Sequence, residues 1–471
     1  MLSATQTSVV LDYLRVPYTI DLDQRSILGT FVAEATGRSL FHPRSPAPAP
    51  APERRLGDLR FFAPTLGDAD LLAVLPSGGW SPGEEVIDAA GAVVAHIWRN
   101  ENGGVALPFD PDAALINLWS EAYTSAPRSR AVKRAVMRAY YRLRPLMPRA
   151  LQIALRRRFA TIQARTSFPR WPIETAAHDL FDLILALLVE VTGEPVPWIA
   201  PWPEPYRWTL VLTHDVEHQL GCDNVPLLRD IEEARGYRSA WNFVPRRYDT
   251  PDETVRDLWD RGFEVGVHGL YHDGRDLESR ELLLERLPAM QNAARRWSAS
   301  GFRSPATHRD WELMPLLGFD HDSSYLDTDP FEPQGGGSCT WWPFPIGDLI
   351  ELPITLLMDH TLFVILRRDE RVWEEKARFL RERGGMALLI THPDYLLEQE
   401  RLDVYDRFLA TFEHDDTLWR ALPSEVAAWW RRRNASSLTR DGAGWRIEGP
   451  AHEAAIAFGP ARPGSFVEPG S

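Results

Sequence analysis

Apolar residues recur along this chain in two rhythms, and each rhythm predicts a kind of element. Runs such as Leu71-Leu72-Ala73-Val74-Leu75 and Val93-Val94-Ala95-His96-Ile97-Trp98, separated by Gly, Pro and Asp, predict a small α/β domain within residues 1–120. Inside it, a Pro-Ala-rich linker spans about 43–55. From Pro172 to Thr192, Ile173, Ala177, Leu180, Phe181, Ile184, Leu187 and Leu188 form a helical stripe, Gly193 stops it, and the prolines up to Pro205 keep the chain extended. Residues 121–204 thus read as a basic and amphipathic helical connector. Strand-like runs at Arg207–Thr213, Phe263–Val267 and Leu388–Ile390 then alternate with helix-like segments as far as a helix at Leu422–Arg433. Past it, in residues 434–471, Gly444–Glu448 and Ala454–Phe458 predict the two arms of a hairpin, followed by an unstructured tail.

Composition narrows the picture. A chain of 471 residues, 44% hydrophobic and 25% charged, suits two or three globular domains. A net charge of −14 argues against nucleic acid as a partner. Two cysteines cannot build a disulfide framework, no apolar stretch reaches membrane-spanning length, and Met1–Thr7 lacks signal-peptide character, so a cytoplasmic address is expected. One segment runs against the acidic total: Arg128 to Arg165 holds a dozen Arg and Lys and no acid, interleaved with apolar residues. It is either an arm packed on the acidic remainder or a peripheral contact with the inner face of an anionic membrane.

The candidate chemistry lies in Thr213-His214-Asp215-Val216-Glu217 and His268-Gly269-Leu270-Tyr271-His272. Alternation along a strand turns Asp215 and Glu217 the same way and Val216 into packing. One helical turn would stack His268 on His272. Two imidazoles and one carboxylate form a three-ligand set with open positions, as catalytic metal sites require, and leave the other carboxylate as a base.

Further on come Gly301-Phe302-Arg303-Ser304-Pro305, Glu351-Leu352-Pro353 and Leu389-Ile390-Thr391-His392. In this order the motifs resemble the NodB-homology polysaccharide deacetylases over about 205–433. The resemblance implies a distorted parallel (β/α) barrel with the site at the C-terminal strand ends, next to an N-terminal α/β accessory domain and a short C-terminal β extension. It further implies metal-dependent removal of acetyl from an N-acetylated amino sugar of a surface polysaccharide or its precursor.

On the matched positions Asp215 is the base, His268 and His272 bind a divalent metal, Zn²⁺ by preference, Arg303 holds the base, and His392 is the general acid. A backbone N–H near Ala306 faces the oxyanion. Where the family's usual motif carries a second Asp, Val216 stands here, so the remaining metal ligand moves to Glu217. Asp359 is a candidate to tune His392 by a hydrogen bond, with an ordinary loop acid as the alternative. Tyr271, Trp341 and Trp342 are candidates for stacking on sugar, the tryptophan pair alternatively plugging a core beneath a glycine-rich loop. His214 and His218 are expected in supporting roles. Two other readings stay open: hydrolysis of a small non-sugar amide or imide, and a glycan-binding protein without turnover.

Overall fold

Trp208–Val216 is buried at all nine positions, which suits a strand covered on both faces. It lies deep in a sheet ordered Phe344–Ile346, Leu349–Glu351, His321–Asp322, Gly301–Phe302, Glu264–Val267, Ser239–Phe243, Trp208–Val216, Met386–Thr391. Every neighbouring pair is parallel except the first. Helices such as Val225–Ala234, Asp252–Asp260, Arg280–Trp297 and Arg371–Glu382 separate consecutive strands. The result is an α/β fold with a half-barrel sheet. The segment after Leu349–Glu351 reaches across to Met386–Thr391: the Thr355 and Leu356 N–H groups donate to the Leu388 carbonyl (3.3 and 3.0 Å), and Leu388 N–H donates to Thr355 Oγ1 (2.8 Å).

The computed structural model describes residues 1–4, 7–20, 27–124, 148–442 and 444–459. It divides into two units. The half-barrel unit comprises Ala139–Glu174 and Trp202–Arg431, and the other comprises Met1–Arg138, Thr175–Pro201 and Arg432–Ser471. The second unit is built on a nine-stranded mixed sheet running from Tyr18–Ile20 at one edge to Leu59–Phe62 at the other. Thr175–Pro201 and the C-terminal residues, read from sequence as connector and extension, cluster with this sheet. Helix Ala176–Thr192 buries Ala177, Leu180, Phe181, Ile184, Leu185, Leu187, Leu188 and Val191, a surface too broad to leave uncovered, against the sheet and helix Pro111–Trp119.

The terminal hairpin differs from expectation. Ser437–Asp441 pairs antiparallel with Gly444–Glu448, and Gly442, which follows the first of these strands, adopts φ +60°, whereas Ala454–Gly459 pairs with Val196–Pro203. Of the basic stretch from Arg128 to Arg165, the part up to 147 lies outside the described residues. The described helix Arg149–Gln163 leaves Leu155, Phe159 and Ile162 exposed, while Arg156 pairs with Glu332 (2.9 Å) and Arg157 donates to the Val364 carbonyl. No described helix is long and apolar enough to cross a membrane.

Candidate metal and catalytic site

The chemistry-bearing side chains all sit at the C-terminal ends of the parallel strands or in the loops that follow them. Asp215 is the next-to-last residue of its strand, buried, with its carboxylate held by Arg303 Nη1 (3.3 Å to each oxygen) and Asn242 Nδ2 (3.0 Å). Arg303 is itself clamped by Thr213 Oγ1 (3.2 Å) and Ser323 Oγ (2.9 Å). Burial works to raise the Asp215 pKa, but Arg303, His268 and His392 outweigh it and hold it at about 2. Asp215 is therefore charged at any physiological pH.

Glu217 stands just past the strand end. Asp394 fixes the chain there, accepting the N–H groups of Glu217 (2.7 Å), His218 (3.0 Å) and Gly221 (3.0 Å). One Glu217 oxygen lies 3.1 Å from His272 Nε2, and the other accepts from the Tyr395 hydroxyl. Burial opposes its charge, yet His272 and His392 nearby and the Tyr395 donor depress its pKa well below the usual range.

His268 and His272 are brought together, their ring centroids 4.8 Å apart, but not by a helical turn. The loop is irregular, with Gly269 at φ +61° and His272 at φ +55°. At Gly269 a Cβ would meet Asp276 Oδ2 at 2.4 Å and Pro305 Cδ at 2.7 Å, so the tight path that presents both rings needs glycine. Asp276 braces the loop, accepting from Leu270 N–H (3.2 Å) and Arg286 (2.8 Å).

The donor atoms of Glu217, His268 and His272 all lie within 4.8 Å of one another. Their chemistry fits a divalent transition ion. His268 Nδ1 is 3.1 Å from the Arg303 carbonyl and donates its proton there, which leaves Nε2 bare toward Asp215 Oδ2 at 3.8 Å. Burial holds its pKa down at about 4, so the ring is neutral and able to ligate. His272 Nε2 is buried and makes no hydrogen bond, although Glu217 is close.

His392 completes the cluster, close enough to Glu217 and Asp215 for their charges to act on it. Its Nδ1 is 2.6 Å from Asp359 Oδ1, and its backbone N–H donates to Asp359 Oδ2 (2.8 Å). Burial would lower its pKa, but Asp359 first, then Glu217 and Asp215, raise it to about 10. A protonated imidazole thus faces two carboxylates. Nearby, Ala306 and Thr307 occupy left-handed backbone (φ +55° and +51°), a strain that natural chains keep mainly at functional turns.

The expected aromatic platform is divided. Tyr271 is 41% exposed beside His272. Trp341 and Trp342 are only 2% and 6% exposed. Trp341 packs edge-on against Phe379, and Trp342 donates its indole N–H to the Gly384 carbonyl (2.7 Å). They plug the core beneath the glycine-rich loop and offer no face to a sugar, because covering these large rings with protein gains more than exposing them. His214 is fully buried, bridging Glu232 (2.7 Å) and Thr391 Oγ1 (2.7 Å), and His218 is half exposed near Asp394.

Several supporting residues went unread in the sequence: Asn242, Ser323, Asp394, Tyr395 and Glu232. Asp394 and Tyr395 had a signal, since they follow His392-Pro393 directly. The others act across long separations and had none.

No family model matches the chain, and no curated protein sequence matches it. Solved structures do. One, assigned but not demonstrated as a polysaccharide deacetylase of Mycobacterium smegmatis, is similar at 21% identity over 52% of this chain and 97% of its own (TM-score 0.44). An allantoinase is similar at 16% identity over 52% and 96% (TM-score 0.38), and a Bacillus subtilis peptidoglycan deacetylase at 14% over 50% and 96% (TM-score 0.32).

Proposed function

We propose that this protein is a metal-dependent hydrolase that removes the acetyl group from an N-acetylated amino sugar of a surface polysaccharide or its precursor. One observation carries the reading: the Glu217, His268 and His272 donors converge beside a charged Asp215 and opposite a charged His392. A divalent ion held by those three residues, Zn²⁺ by their nitrogen and oxygen donors, would polarise the acetyl carbonyl and make water a better acid. Asp215 removes the proton from the attacking water, a role typically worth about 10²- to 10⁴-fold. Arg303 and Asn242 keep that carboxylate aimed.

The tetrahedral oxyanion is stabilised by a backbone donor in the strained turn at Ala306, where such a group contributes about 3 kcal/mol. His392, charged and backed by Asp359, gives its proton to the departing nitrogen, so that an amine and acetate leave. Tyr271, exposed at the rim, stacks on the sugar ring. In this reading the basic segment 128–165, of which helix Arg149–Gln163 is the described part, meets an anionic inner membrane surface and brings the site to lipid-linked substrate.

Acetate release from a panel of N-acetylated sugar nucleotides, lipid-linked sugars and oligomers, with and without chelator, tests the proposal. Chelator-sensitive, zinc-restored release supports it. Release from small amides or imides but from no acetylated sugar would overturn it.

A further inference from the structure

Arg247 stands beside the site, in contact with His272. It is exposed and makes no ion pair among the described residues. Its guanidinium donates instead to two imidazole nitrogens, Nδ1 of His272 (2.6 Å) and Nε2 of His218 (2.7 Å), and to the His272 carbonyl (3.3 Å). The segment that carries it is pinned. Tyr248, next in sequence, accepts from Val244 N–H (3.1 Å) and donates to the Val216 carbonyl (2.6 Å), tying Arg247 to the Asp215-Val216-Glu217 run.

A guanidinium has five donors and no acceptor, so His272 Nδ1 must accept from it. Two imidazoles and a carbonyl satisfy hydrogen bonds but do not neutralise the cation, so its charge stands beside the Glu217, His268 and His272 cluster with no protein carboxylate paired to it among the described residues.

We infer that Arg247 is a specificity residue that binds an anionic group of the substrate, a carboxylate or a phosphate on or beside the acetylated sugar. The inference rests on the amidase reading and names its substrate class. A planar guanidinium matches both anions with paired N–H donors, and at a half-open rim such a charged hydrogen-bonded contact is worth about 10- to 100-fold in discrimination.

The test compares wild type with Arg247→Gln and Arg247→Lys on three acetylated substrates: an uncharged amino-sugar oligomer, one bearing a lactyl or uronate carboxylate, and a glycosyl phosphate. Arg247→Gln should lower kcat/KM for an anionic member about 10- to 100-fold more than for the uncharged one, with Arg247→Lys in between. Whichever anion shows the loss identifies the source. In parallel, calorimetry should show the deacetylated anionic sugar binding wild type more tightly than Arg247→Gln, with no difference for the uncharged sugar. Equal losses on all three substrates, or equal binding of the anionic sugar, would overturn the inference. Absence of acetate release from every substrate would sink the amidase reading, and the binding arm would still decide the role of Arg247.

Discussion

Replacing Asp359 with asparagine removes the charge that keeps His392 protonated while preserving shape. Asp359 meets the imidazole at Nδ1 (2.6 Å) and the His392 backbone N–H (2.8 Å), and an amide can keep one of these bonds. In the native protein Asp359 leads Glu217 and Asp215 in lifting the imidazole from 6.5 to about 10 against the effect of burial. Without that charge, burial is opposed only by Glu217 and Asp215, and the group falls from about 10 toward 6.5. At pH 7.5 a group at 6.5 carries the proton about a tenth of the time, where almost all did before. The rate of acetate release at pH 7.5 should fall about 10-fold and recover toward pH 6. The wild-type basic limb should stay flat to about pH 9.

The same shift bears on stability. A histidine whose pKa is raised by folding contributes stability that is fully present below about 6.5 and lost as the pH rises through about 10. Asp359→Asn should therefore narrow the stability gap between pH 6 and pH 10 in thermal melts. Coincident basic limbs of the two pH–rate profiles would refute the assignment of His392 as the proton donor.

Three further outcomes follow from other parts of the structure. Asp322 and Glu351 are fully buried, and burial raises Asp322 to about 7 and Glu351 well above its usual range. The contribution of each is complete below about pH 4 and is lost as the pH rises toward its raised pKa, about 7 for Asp322, so the wild-type thermal midpoint should drop more between pH 5 and 8 than that of Glu351→Gln; parallel curves would contradict this. Trp342→Phe should cost about 1 kcal/mol through the lost bond to Gly384 and leave KM unchanged, a raised KM reinstating a sugar contact. Phe159→Ser with Ile162→Ser should reduce binding to anionic liposomes in flotation assays, and an unchanged bound fraction would refute the membrane role of helix Arg149–Gln163.

What could be read from the sequence was local. The alternation around Asp215 and Glu217 is a property of one strand and its end, and the buried run Trp208–Val216 announces itself by its apolar, β-branched content. Contacts across distant segments were not readable. Tyr395 reaches Glu217 across 178 positions, and His214 meets Thr391 across 177, separations that leave no periodic trace. Trp341 and Trp342 show the other failure: beside prolines and glycines an aromatic pair reads equally as platform or plug, and only the position of Phe379 and Gly384 decides between them. The His268–His272 spacing suggested a helical turn, and the left-handed residues Gly269 and His272 achieve the same meeting by another path.

The central claim is that Glu217, His268 and His272 hold one cation that Asp215 and His392 use, and the metal content of purified variants tests it most directly. Zinc per chain should be close to one in wild type and in Asp215→Asn, which should lose turnover, and should fall well below it in Glu217→Ala and His268→Ala with the fold intact by circular dichroism. Full zinc content in Glu217→Ala and His268→Ala would contradict the account.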